Sequence, residues 1–205
     1  MNVLKAGSGP ISEYQSLADQ ISEMPEVLAL IPTIYGQAIL VSDVRDKPVM
    51  LKGIDLGRAD QSSHLFPTII EGSLDSFDQV SSIPAVVVGT DLAQFLGLAV
   101  GEDVRAMGLQ GELSPLGRMP RIETFKVIAI FESGLWEYDA NWVLLSIEAA
   151  QHFFGLSTNA ASTLELRIHD IDEAPSVATR VKSIAGPGYL TSTWIELNRP
   201  LFSAL

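Results

Sequence analysis

Thr163-Leu164-Glu165-Leu166-Arg167-Ile168-His169 alternates without a break, with Leu164, Leu166 and Ile168 on one side and Glu165, Arg167 and His169 on the other. A period of two is the pattern of a half-buried β-strand. The period then changes. Val177, Val181 and Ile184 recur at i, i+4 and i+7 behind Asp172, which predicts a capped helix. Gly186-Pro187-Gly188 ends that helix, and Tyr189–Thr193 reads as the next strand. The amino-terminal end carries a similar unit. Val3–Leu4 is strand-like, and Ser12–Glu23 is helical with Tyr14, Leu17 and Ile21 on one face. Ser12 and Gln15 have capping-box spacing, Pro25 closes the helix, and Val27–Ile31 is the second strand. Two strand–helix–strand units at opposite ends predict one α+β lobe closed by both termini.

Between them the chain is richer in strands. Tyr35–Ser42 and Val49–Ile54 flank the turn Arg45-Asp46-Lys47-Pro48. Residues 55–82 are weakly patterned and rich in Ser, Asp and Gly, as a linking stretch would be. Ala85–Val88 reads as a buried strand, and Thr90 or Asp91 as the cap of a short helix through Leu96, with Gly97 as its C′ residue. Val104–Met107 and Thr124–Glu132 form a strand pair, followed by strand Trp142–Leu145 and helix Ile147–Phe154. The expected organisation is a discontinuous α+β lobe of residues 1–60 and 160–205, with a β-rich lobe of residues 61–159 inserted in it.

Composition narrows the function. The 205 residues are 47% hydrophobic, enough for a sizeable core, and the net charge is −12. There is no basic cluster for DNA or RNA to bind. The chain has no cysteine, which excludes disulfides, thiolate catalysis and cysteine-ligated zinc. Its apolar runs are strand-sized, far short of the ~20 residues of a membrane helix. The start has no apolar signal segment, and the end breaks off inside an apolar pattern, Trp194 to Leu205. Both ends are those expected of a domain excised from a longer chain.

Chemistry-bearing patterns are sparse. His64, His152 and His169 have no partner at metal-ligand spacing, and no phosphate loop, dinucleotide fingerprint or nucleophile elbow occurs. Asp170-Ile171-Asp172-Glu173 lacks the glycine and distal glutamate of a calcium loop and reads as a helix start. Glu132, Glu137 and Asp139 lie close in sequence and could form a carboxylate pair for acid–base work. Trp136, Tyr138 and Trp142 beside them read as packing before contact surface. Neither a metal nor a cofactor is expected.

One segment is harder to place. Gly108 to Ile122 separates two paired strands, whereas hairpin loops usually take two to five residues. It holds Pro115 and Pro120, and sets Leu116 and Met119 beside Arg118 and Arg121 in an acidic chain. A disordered loop and a docking element fit this composition equally well.

Several motifs in fixed order carry a resemblance. They are Leu51-Lys52-Gly53-Ile54-Asp55, Glu71-Gly72, Val88-Gly89-Thr90-Asp91-Leu92-Ala93 with Leu96-Gly97, and Val100-Gly101-Glu102-Asp103. They continue with Ser114-Pro115-Leu116-Gly117-Arg118-Met119-Pro120, Phe131-Glu132-Ser133-Gly134 with Glu137-Tyr138-Asp139, and Thr193-Trp194 with Leu201-Phe202. Together they resemble the periplasmic domain of lipoprotein-releasing (Lol) ABC transporter permeases, the LolC/LolE family, within the broader MacB-like periplasmic core fold. The resemblance spans essentially the whole chain.

It implies an α+β fold with a Porter-like discontinuous lobe and a Sabre-like inserted lobe bearing a long hairpin, residues 108–122. It implies a non-catalytic domain at the periplasmic face of the inner membrane of a Gram-negative bacterium, with no cofactor. The partners implied are a LolA-type lipoprotein chaperone, a second permease subunit, a cytoplasmic ATPase subunit and lipoprotein substrates. The hairpin of LolC-type permeases grips the chaperone, which makes Ser114, Pro115, Leu116, Gly117, Arg118, Met119, Pro120 and Arg121 the expected contact residues. Two other readings stand beside this one. One is the extracytoplasmic domain of a MacB-like efflux or mechanotransmission permease with a different partner. The other is a small hydrolase using Glu132, Glu137 or Asp139.

Overall fold

The computed structural model describes residues 1–7, 9–57, 68–79, 81–114 and 117–193, with the side chains of 110–118 also outside the description. In chain order the elements are β1 (Asn2–Lys5), β2 (Ile11–Ser12), α1 (Tyr14–Ser22), β3 (Val27–Val41), β4 (Asp46–Ile54) and β5 (Thr68–Gly72). Next come β6 (Ala85–Gly89), α2 (Thr90–Leu96), β7 (Asp103–Ser114), β8 (Gly117–Glu132), α3 (Trp136–Asn141) and β9 (Trp142–Ser146). The chain ends with α4 (Ile147–Phe154), β10 (Ala160–Ala161), β11 (Thr163–Ile168), α5 (Ala174–Ala185) and β12 (Tyr189–Ser192).

These elements fall into two units. Among the described residues, 1–33, 57 and 159–193 form the first, and 34–56 with 68–158 the second. The boundary expected near residue 60 is corrected: 34–56 cluster with the second unit. The reason is β3, a single strand of 15 residues that contributes its first half to one unit and its second half to the other. Sequence reading splits it at Pro32. Proline's fixed φ is nevertheless that of an extended chain, and pairing with β11 on one half and β7 on the other holds the strand through it.

In the first unit the strand order is β12-β1-β11-β3, with antiparallel neighbours throughout. The two strand–helix–strand units therefore interleave: β11 lies between β1 and β3, and β1 between β11 and β12. This is the split βαβ arrangement. α1 and α5 pack on one another. Tyr14, Ala18 and Ile21 from α1 and Val177 and Val181 from α5 are buried with Val3, Leu30, Leu164 and Leu166. The alternation in β11 holds at Leu164 and Leu166, but Ile168 is only half-buried because the register with β3 shifts between Arg167 and Ile168.

Both helix starts differ from expectation. α1 begins at Tyr14, and Ser12 belongs to β2, paired with Ala160. Asn159 bonds the first turn: its main-chain O accepts from Tyr14 N (3.2 Å) and its Oδ1 from Gln15 N (3.3 Å). Before α5, Asp170 Oδ1 accepts from Asp172 N (2.9 Å) and caps a 3-10 turn, so Asp172 lies inside that turn.

Arg180 of α5 reaches Glu26, just ahead of β3, at 2.5 Å. Its hydrogen bond holds the Glu26 carboxyl below its ordinary value of about 4.5. A depressed carboxylate pKa adds stability above the unfolded value and loses it as pH falls through the folded value. Glu26→Gln is therefore expected to melt below the parent at pH 7. In melts at pH 7, 5 and 3 the gap should close toward acid. A gap of constant size would refute the ion pair as its cause.

In the second unit the pairing closes on itself. β3 neighbours β4, β4 pairs β9, β9 pairs β6, β6 pairs β8, β8 pairs β7 and β7 returns to β3. A closed ladder has few free edges to protect. β6 is buried at all five positions, which is why its sequence is an unbroken apolar run. Around it Leu51, Phe125, Val127, Val143 and Leu145 are also buried. α2 ends at Gly97 with φ 67°, the left-handed conformation expected of its C′ residue. Its N-cap is Gly89, and neither Thr90 nor Asp91 caps it with a side chain. A Cβ on Gly89 would collide with the main-chain oxygen of Asp139, so close packing selects the residue there.

Candidate docking hairpin

The segment read as a fifteen-residue loop is paired over 111–114 and 117–120. From Asp103↔Lys126 the β7–β8 ladder runs through Met107↔Ile122, and on from Gly111↔Pro120 to Ser114↔Gly117. The register shifts between Met107 and Gly111, where β7 holds two more residues than β8. Glycines and prolines hid this ladder from sequence reading. Yet 118–125 of β8 have β7 as their only described strand partner, and such an edge tolerates Pro120.

The expected contact residues divide. Ser114 and Gly117 are the last paired positions, and Arg118 lies opposite Leu113; the side chains of Ser114 and Arg118 are outside the described residues, as are Pro115 and Leu116 altogether. Met119 is 56% exposed, and Pro120 is exposed beside it. Leu109 and Ile122 are also open to solvent, so exposed apolar side chains recur along these two strands. Arg121 is different. It is half-buried, and its Nη1 donates to the main-chain oxygen of His152 in the last turn of α4. Sequence reading grouped it with the tip and had no signal for this bond, whose partner is 31 residues away.

The carboxylates are not brought together. Glu132 and Glu137 are exposed. Asp139 is buried and accepts from Ser133 N (2.7 Å), Ser133 Oγ (2.7 Å) and Gly134 N (3.2 Å), which ties down the entry to α3. Its acceptor capacity is spent on local structure. Among the described residues no cluster of His, Asp or Glu could hold a metal ion. His64 lies outside them.

The aromatic group also splits. Trp142 packs between Tyr35 (centroids 5.7 Å apart) and Tyr138 (4.8 Å), whereas Trp136 is 73% exposed. No helix among the described residues is long and apolar enough to cross a membrane.

Comparison with known proteins follows the same line. Residues 2–184 match the model of the MacB-like periplasmic core domain. The chain is similar to the lipoprotein-releasing system transmembrane protein LolC of Xylella fastidiosa strain 9a5c, 29% identical over 202 residues. That match covers 98% of this chain and 48% of the relative. It is also similar to LolC of Neisseria meningitidis serogroup B, 25% identical over 195 residues, 95% of this chain and 46% of the relative. The chain thus spans about half the length of the curated relatives it matches. Among solved structures, the periplasmic region of MacB from Actinobacillus actinomycetemcomitans superposes with a TM-score of 0.64 at 14% identity, over 98% of this chain and 92% of that one. With a family match over nearly its whole length and the same fold in a solved relative, the chain belongs to the MacB-like periplasmic core domain family.

Proposed function

We propose that this domain is the periplasmic part of an inner-membrane ABC permease that releases outer-membrane-directed lipoproteins and passes them to a LolA-type chaperone. The observation that carries this reading is the β7–β8 ladder, paired out to Ser114↔Gly117, on which Met119 stands exposed. Similarity to LolC proteins supports lipoprotein release as the process. In this reading Ser114–Pro120 is the chaperone contact. A second permease subunit and a cytoplasmic ATPase complete the transporter, and the domain transmits motion without catalysing a reaction.

Calorimetric titration of the domain with the LolA-type chaperone of the same organism tests the proposal. Saturable binding is expected, and its loss when residues 109–121 are replaced by a two-residue turn. If the intact domain gives no heat of binding, the efflux or mechanotransmission reading takes its place.

A further inference from the structure

We infer that Arg121 is a positioning residue that, with Glu123, clamps the root of the β7–β8 hairpin to the C-terminal turn of α4 and so sets the direction in which the hairpin points. The inference rests on the reading of that hairpin as the docking element.

Successive odd-numbered residues of β8 share one face. Phe125 packs edge-on against Phe153 of α4, with centroids 5.8 Å apart. Two residues on, Glu123 Oε2 lies 3.3 Å from His152 Nδ1, and the Glu123 side chain is only 16% exposed. Two further on, Arg121 donates to the His152 carbonyl. That oxygen also accepts from Gly155 N (3.1 Å), so both of its lone pairs are used. Helix C-terminal carbonyls carry partial negative charge, which a guanidinium complements. One strand face therefore meets α4 at three consecutive steps, and the next residue on that face is Met119.

The need for a clamp comes from the ladder. Arg121 sits opposite the register shift, between the pairs Met107↔Ile122 and Gly111↔Pro120. Beyond that shift β7 and β8 have only each other as described strand partners. An isolated two-stranded ladder is marginal in water. α4 is a firm anchor, with Ile147, Ala150 and Phe153 buried and Ser146 Oγ accepting from Ala149 N at 3.1 Å.

The chain has no cysteine, so paired spin labels can be placed through Ser114→Cys and Glu148→Cys, the second on the exposed side of α4. Pulsed electron resonance should give a narrow distance distribution in the parent and a broad one in Arg121→Ala. Arg121→Lys, which can still donate to the carbonyl, should restore most of the narrow form. In the unlabelled proteins, a fall of the aimed population to about a tenth weakens chaperone affinity about tenfold in Arg121→Ala. Lysine should recover most of it. An unchanged distribution in Arg121→Ala overturns the clamp, as does equal loss of affinity in both variants, which would mark Arg121 as a direct contact. Should the parent not bind the chaperone at all, the functional reading falls, and the distance measurement still decides the clamp.

Discussion

Replacing Leu116 and Met119 together by serine is expected to abolish measurable binding of the LolA-type chaperone while leaving the melting temperature nearly unchanged. Met119 stands more than half exposed on the outer part of the ladder, opposite Glu112, where it has little to lose on unfolding. Its worth is realised only against a partner. Burying two such apolar side chains contributes roughly 3–6 kcal/mol before ordering costs. At about 1.4 kcal/mol per decade, that is on the order of 10²- to 10⁴-fold in affinity. Arg118 in the same segment is expected to matter less, because exposed ion pairs yield at most about 1 kcal/mol. Unchanged affinity in the double variant would sink the assignment of Ser114–Pro120 as the contact.

Phe125→Ala is expected to act in the opposite sense, on stability first. Phe125 is fully buried in β8, with Phe153 against it and the closed ladder of the second unit around it. Removing a buried phenyl ring costs the transfer free energy of its carbons and adds a cavity, about 3–5 kcal/mol in all. For a unit of this size the melting temperature should fall by roughly 10–20 °C. Phe125→Leu keeps most of the volume and should lose less than half of that. A loss below about 1 kcal/mol on denaturant titration of Phe125→Ala would show that the site is not packed as described. Because Phe125 also lies on the strand face that carries Glu123 and Arg121, the alanine variant should loosen the hairpin root even where it remains folded.

Much of the fold was legible because the deciding signals are local. The alternation at Thr163–Ile168 needs only one buried face, and Leu164 and Leu166 are in fact buried, with Thr163 buried beside them. The helix spacing of Val177 and Val181 works in the same way, and so does the left-handed φ that selects glycine at 97. The unbroken apolar run of β6, short and rich in valine, announced a strand covered on both faces. The ordered motifs from Leu51 to Phe202 carried the resemblance to the family on their own.

What the sequence could not reveal depends on residues far apart in it. The capping box at Ser12 is a valid local solution, but pairing with Ala160 takes Ser12 into a strand, and Asn159 supplies the bonds instead. Pro32 is a local stop signal, overridden because β11 pairs with β3 through Pro32 to Thr33 and β7 pairs with it further on, from Ala38. The unit boundary consequently falls inside a strand, where composition does not change. At the candidate site, composition alone marked the segment 108–122 as unusual and its apolar residues as available for contact. Only the tertiary structure showed that it is a ladder and that Arg121 turns back to α4. A hydrogen bond across 31 residues leaves no periodicity, spacing or propensity in the chain, because its geometry exists only once β8 and α4 have packed.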